Sequence, residues 1–303
     1  MTEAARQAAA DLEQSQALRG QPVLDRLVAL LDLERIEENI FRGVSPAQSP
    51  VRVFGGQVAG QALVAAGRTV PSERKVHSLH AYFIRPGDPS IPIVYEVDRI
   101  RDGRSFTTRR VIAVQRGKAI FALSASFHMV EPGIEHAETM PDVPAPDDLP
   151  TRLESMAKYA DKLGPVATAP RPIDIRYVTE PPWEQRGEGS EARSQVWMRA
   201  DGTLPADELL HVCVLTYASD MTLLDSILVR HGVYWGFDRV LGASLDHALW
   251  FHRPFRADEW FLYDCASPSA AGARGLATGR FFAQDGTLIA TVVQEGLLRI
   301  LDD

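Results

Sequence analysis

The sequence predicts an α+β fold in which one unit occurs twice, and three observations point there. Each half of the 303-residue chain sets a helix-patterned segment ahead of a run of strand-patterned ones. Landmarks recur between the halves. Phe83-Ile84-Arg85-Pro86 returns as Phe251-His252-Arg253-Pro254, and the turn Arg116-Gly117-Lys118 returns as Asp285-Gly286-Thr287, at offsets that agree to one residue. Between them, residues 131–190 hold half of the chain's 20 prolines, the composition of a segment that crosses from one domain to the next. The expected division is an N-terminal arm (1–20), a first unit (21–130), a Pro-rich linker (131–190) and a second unit (191–303), two domains being what this length suggests.

In chain order, residues 1–20 are rich in Ala, Gln and Glu without apolar periodicity, which fits a frayed helix or a flexible arm. Residues 23–40 carry Val23, Leu24, Leu27, Leu30, Leu31 and Ile36, an amphipathic helix with Pro22 in its first turn. After the break at Gly55-Gly56 comes a slim helix of Ala59, Gly60, Ala62, Ala65 and Ala66. Glycine costs about 1 kcal/mol inside a helix, so Gly60 implies a close backbone approach. Residues 77–84, 91–101, 106–115 and 119–129 are rich in Val, Ile, Tyr and Phe and are separated by turn residues, an antiparallel meander. A short helix is expected within 153–163. In the second half, 194–199 reads as a strand and 209–217 as a passage from helix into strand. Strands follow at 248–251, 260–266, 275–283 and 288–300.

Residues 217–232, YASDMTLLDSILVRHG, are expected to hold the second unit's helix. Met221, Leu224, Ile227 and Leu228 make its apolar stripe, Ser219-Asp220 its start and Gly232 its stop. Asp220 then reads two ways. It is a helix N-cap, or it is a catalytic carboxylate beside the positive end of a helix.

The bulk properties exclude several functions. A net charge of −8 and a pI near 5.5 speak against nucleic acid, because phosphate binding needs clustered positive charge. Cys213 and Cys265 are too few for a disulfide framework, so a reducing cytoplasm is the expected location. No apolar run approaches the roughly 18 residues of a membrane span. The first residues lack a secretory signal and the last three are not a peroxisomal address. No G-x-x-x-x-G-K-[ST], G-x-S-x-G or H-E-x-x-H occurs, and Gly187-Glu188-Gly189 is no dinucleotide fingerprint. His77 and His80, three apart on a strand, should point to opposite faces. Neither a metal nor a cofactor is expected. Cys213 reads as a core residue. His247 and His252 are the rivals of Asp220, and Asp246-His247 could be an acid/base pair; packing and hydrogen bonding are the alternative use of His247.

Several segments together, Val53-Phe54-Gly55-Gly56-Gln57, Arg85-Pro86-Gly87-Asp88, Tyr217-Ala218-Ser219-Asp220, Leu245-Asp246-His247, Trp250-Phe251-His252-Arg253-Pro254-Phe255 and Gln284-Asp285-Gly286 leading to Val293-Gln294-Glu295-Gly296, carry a resemblance. The sequence resembles the type II, TesB-like acyl-CoA thioesterase family over all but its N-terminal arm. That resemblance implies a double hot-dog fold, two antiparallel sheets each wrapping a long helix. It implies hydrolysis of an acyl-CoA to a free acid and CoA, and a homo-oligomer, dimer or tetramer. The family's catalytic positions fall on Asp220, Ser244 and Gln294, with Ser244 where the family more often has Thr.

Thioester chemistry suits such residues. The leaving thiol has a pKa of about 8.5, so the reaction needs chiefly an oriented, partly deprotonated water and a place for the oxyanion. Asp220 would be the base, Gln294 and Ser244 would fix the water, and backbone N–H groups near Gly55 and Gly56 would hold the oxyanion. Gln57 and His80 complete the expected substrate contacts. Two other readings remain open: a hot-dog enoyl-CoA hydratase, and a non-catalytic acyl-CoA-binding protein.

Overall fold

A computed structural model describes residues 19–46, 52–159, 161, 169–181, 183–184, 191–235 and 240–301. Most of the expected N-terminal arm and the Gly187–Gly189 stretch lie outside them. Helix α1 (Gln21–Leu31) buries Val23, Leu24, Leu27 and Leu31, the stripe that its sequence carries. It stops nine residues earlier than expected. Glu34–Glu37 (β1) and Ile40–Gly43 (β2) form a hairpin instead. Ile36 is half exposed there, while Phe41 is fully buried. The pairing of β2 with the sheet outweighs local helix propensity.

Helix α2 (Gly55–Gly67) is followed by β3 (Arg74–Phe83), β4 (Ile93–Asp102), β5 (Phe106–Gln115) and β6 (Lys118–Met129), the expected meander. The presumed linker is not bare chain. It carries a short helix α3 (Arg152–Met156), closed by a capping box between Thr151 and Glu154, and a strand β7 (Ile173–Tyr177). Strand β8 (Arg193–Ala200) precedes α4 (Glu208–Ser219) and α5 (Asp225–Arg230). Then come β9 (Val240–Ser244), β10 (Asp246–Phe251), β11 (Phe261–Ala271), β12 (Arg274–Ala283) and β13 (Leu288–Ile300). Among the described residues no helix is long and apolar enough to cross a membrane.

The two expected sheets are one. The strand order is β1-β2-β4-β5-β6-β3-β10-β13-β12-β11-β8-β7, with β9 also on β13. The second half of this path is the first half reversed, each strand opposite its counterpart, so the internal repeat is visible as topology. The halves join where β3 pairs antiparallel with β10, Leu79 facing Leu249. Each unit alone would leave that strand as an open edge of unpaired N–H and C=O groups, and the partner unit satisfies it.

Helix α2 packs chiefly on β4, β5 and β6, and α5 on β11, β12 and β8, the counterparts of β4, β5 and β2. Helix α4 runs antiparallel against α2, with Gly56 beside the Tyr217 carbonyl and Gly67 beside Leu209. A side chain at Gly56 would put its Cβ 2.3 Å from that carbonyl oxygen. The small residues of α2 therefore serve helix-to-helix approach. One large core fills this face of the sheet. On the other face Trp197, Trp260, Leu262 and Phe282 are covered by Met140, Val143 and Leu149 of the Pro-rich stretch.

The helix expected to begin at Asp220 is corrected. The strand-like run before it is helix α4, whose N-cap is Asp207, its carboxylate accepting from the N–H groups of Leu209 and Leu210. Asp220 is the C-cap of α4, and residues 221–224 turn before α5 resumes. A continuous apolar run such as Val212-Cys213-Val214-Leu215 has no period that separates buried helix from strand.

Candidate active site

The break between α4 and α5 opens on a cleft of about 540 Å³ at the boundary of the two units. Phe54, Val58, Phe83, Phe121, Leu224 and Trp235 give it apolar walls, and Asp220 and Ser244 face it. Three elements place the polar groups. The C-cap of α4 presents Asp220, the end of β9 presents Ser244, and mid-β13 presents Gln294. Ser244 and Gln294 come together because β9 pairs with β13, Ser244 opposite Gly296.

The geometry is tight. The Ser244 hydroxyl donates to Asp220 Oδ1 at 3.0 Å. Gln294 Nε2 donates to the same oxygen at 3.0 Å and to Ser244 Oγ at 2.6 Å. Gln294 is fully buried, so it stands behind Asp220 and Ser244 rather than in the cleft. Behind Gln294, its Oε1 meets His247 Nδ1, and His247 Nε2 lies 2.8 Å from Ser219 Oγ. Tyr263 OH donates to the Ser219 carbonyl at 2.8 Å, pinning the end of α4. Burial holds the His247 ring below its usual pKa, against the opposing pull of the Asp220 charge.

Asp220 Oδ2 lies beside Gly55, where an added Cβ would sit 2.5 Å from it. Gly55 is the first residue of α2, whose N-cap Phe54 offers no side-chain hydrogen bond. The carboxylate thus lies by the positive end of a helix, as one of the two readings required. That helix belongs to the other unit; Asp220 ends its own helix rather than starting it.

The other expected site residues separate. Gly55 lines the cleft. Gly56 is spent on the contact with Tyr217. Gln57 is buried, and its amide donates to the Val44 carbonyl and Ser45 Oγ. His80 is exposed on β3 with its ring edge-on to Trp250, and it does not line the cleft. In the alternating pleat it stands between core-facing Leu79 and Ala81, on the opposite face. His252 bonds Thr291 Oγ1 at 2.8 Å, also away from the cleft. Asp246 accepts the Glu295 N–H at 2.7 Å, and both ring nitrogens of His247 are engaged elsewhere, so Asp246-His247 is not assembled as an acid/base pair. Cys213 is fully buried and burial pushes its thiol pKa up.

Two cleft residues had gone unremarked. Asp225 is buried, accepts from Trp235 Nε1 at 2.9 Å, and has its pKa raised to about 7 by desolvation. Arg52 donates to the Gly242 carbonyl at the rim. No pattern in the sequence marks either, because each joins the cleft through contacts distant along the chain.

Known proteins align with this chain over nearly its whole length. The family model "Acyl-CoA thioesterase" matches residues 167–297, and "Acyl-CoA thioesterase N-terminal domain" matches residues 44–128. Acyl-coenzyme A thioesterase 8 of Mus musculus is 42% identical over 293 residues, covering 90% of this chain and 89% of the mouse protein. The crystal structure of an acyl-CoA thioesterase II from Mycobacterium marinum is 46% identical, with a TM-score of 0.74 over 91% of this chain and 99% of that one. A hot-dog protein of unknown function from Alicyclobacillus acidocaldarius, 21% identical, superposes with a TM-score of 0.75 over 91% of this chain and 99% of that one, which shows the shared hot-dog fold.

Proposed function

The chain belongs to the acyl-CoA thioesterase family, and from that premise we propose that it hydrolyses acyl-CoA thioesters through a water activated by Asp220, Ser244 and Gln294. The observation that carries this reading is the meeting of Ser244 and Gln294 on one oxygen of Asp220 at the wall of an apolar cleft. With Oδ1 held twice, Oδ2 is the oxygen left for chemistry. A water between Oδ2 and the acyl carbon gives its proton to the carboxylate and its oxygen to the carbonyl. The oxyanion forms near the first residue of α2, whose free N–H groups and dipole favour negative charge. Collapse of the intermediate expels the thiolate, which regains the proton as CoA–SH. The apolar walls accept the acyl chain, and Gly55 is the substrate contact retained from the sequence reading.

Purified protein with acyl-CoA should release free thiol, read with a thiol-reactive dye. Hydration of an enoyl-CoA would change ultraviolet absorbance without thiol, and a binding protein would give neither signal. Asp220→Asn should lower kcat on the order of 10²–10⁴-fold with its circular dichroism unchanged. A folded Asp220→Asn protein of full rate would remove Asp220 from the mechanism. The division into units 21–130 and 191–303, a cytoplasmic location and assembly into a dimer or tetramer belong to the same proposal; light scattering of the purified protein reads the last.

A further inference from the structure

We propose that His247 is a positioning residue, which touches no substrate but fixes the amide of Gln294 in the one orientation that supports Asp220. The inference rests on the Asp220–Ser244–Gln294 reading and extends it by one residue.

The argument is an inventory of hydrogens. The carboxylate oxygen Asp220 Oδ1 accepts, so the group of Gln294 that faces it at 3.0 Å must be the NH₂. The same NH₂ gives its second hydrogen to Ser244 Oγ. Gln294 Oε1 is then turned to the opposite side, where it can only accept, and it meets His247 Nδ1. Nδ1 must therefore carry a hydrogen. With the neutral ring that burial favours, Nε2 is an acceptor; the Ser219 hydroxyl lies 2.8 Å from Nε2 and 2.8 Å from the Thr216 carbonyl, and in this state its one hydrogen turns to the ring. One directional chain results, from Ser219 through His247 and Gln294 to Asp220 and Ser244. A flipped amide would set Oε1 against a carboxylate and leave the NH₂ facing the ring's N–H. The carboxylate opposes that state, and the hydrogen on Nδ1 opposes it from the other side.

The internal repeat supplies an independent observation. In the first unit the corresponding cross-strand pair is Leu79 with Ala125, both in the core. In the second unit that place holds His247 and Gln294, both fully buried. Burying two polar side chains where an apolar pair serves the sister unit is costly unless each satisfies the other. His247 does not line the cleft, so its ring is satisfied from within the core, by Gln294 and Ser219.

The test uses the full chain and thiol release from a saturated acyl-CoA. His247→Leu should lower kcat by about 10- to 100-fold while KM moves by less than about threefold, the pattern of lost transition-state stabilisation. His247→Asn keeps an N–H donor near the Nδ1 position and should recover most of that loss. Gln294→Leu and the double variant His247→Leu/Gln294→Leu should have the same kcat, since a residue acting only through Gln294 has nothing left to position. A His247→Leu protein of wild-type kcat would overturn the proposal. So would an Asn variant as slow as Leu, or losses that multiply in the double variant. If His247→Leu fails to fold, the Asn variant and the Gln294 single variant carry the same decision through their kcat values. Absence of thiol release by the wild-type protein would instead sink the hydrolase reading, and the two failures are thereby distinct.

Discussion

Gly55→Ala isolates the role of the α2 terminus from the stability of the fold. Gly55 has no left-handed backbone angle, so alanine fits its conformation. The added Cβ, however, would stand 2.5 Å from Asp220 Oδ2 and 2.8 Å from Phe83 Cε1. Ordinary van der Waals contact is wider than that by about 1 Å, and both neighbours are the far ends of side chains. They can move, so the helix survives, and the residue that moves is the carboxylate. A displacement of about 1 Å at a reacting group can cost on the order of 10²-fold in rate. The variant should therefore melt within a few degrees of wild type and show kcat lower by about 10²-fold. Steady-state thiol release beside a thermal melt reads both. Wild-type kcat in the folded variant would show that Asp220 does not act from the position beside Gly55.

Gly56→Ala should do the reverse. Its Cβ would meet a backbone carbonyl, that of Tyr217, at 2.3 Å, and two packed helices cannot both retreat; a destabilisation of about 1–3 kcal/mol by denaturant unfolding is expected. Ser244→Ala removes one of the two bonds to Asp220 Oδ1 and should cost about 10- to 100-fold in kcat, while Ser244→Thr, which keeps the hydroxyl, should stay near wild type in the same assay. Asp225 is held up to about 7 from 3.8 by burial. Its folded pKa exceeds its unfolded one, so stability is withdrawn as pH rises from about 4 to about 7. Asp225→Asn should accordingly gain on wild type by about 2–3 kcal/mol between pH 5 and pH 8 in denaturant unfolding, and equal curves at both pH values would refute the shift.

Legibility in the sequence followed the range of the interactions. The meander of the first unit was readable to within three residues at every strand end, because strand alternation and turn chemistry are local. The placement of Asp220 was half readable. Its place by a helix's positive end holds, but the helix that provides it is α2 of the other unit. His80 had a strand position and no means, from one sequence, of showing which face of the sheet it would take.

That one α+β unit occurs twice and that antiparallel strands build it was legible along the chain, because period, turn residues and recurring motifs are local; Asp220, Ser244 and Gln294 were singled out as a set by the family resemblance that the motifs carry. The folded chain alone revealed that the two sheets fuse through β3 and β10, that a helix ends rather than begins at Asp220, and that His247 backs Gln294. Each of these depends on contacts between segments far apart in the chain, where an open strand edge, a steric gap at a glycine or a buried amide is satisfied by whatever the fold brings to it.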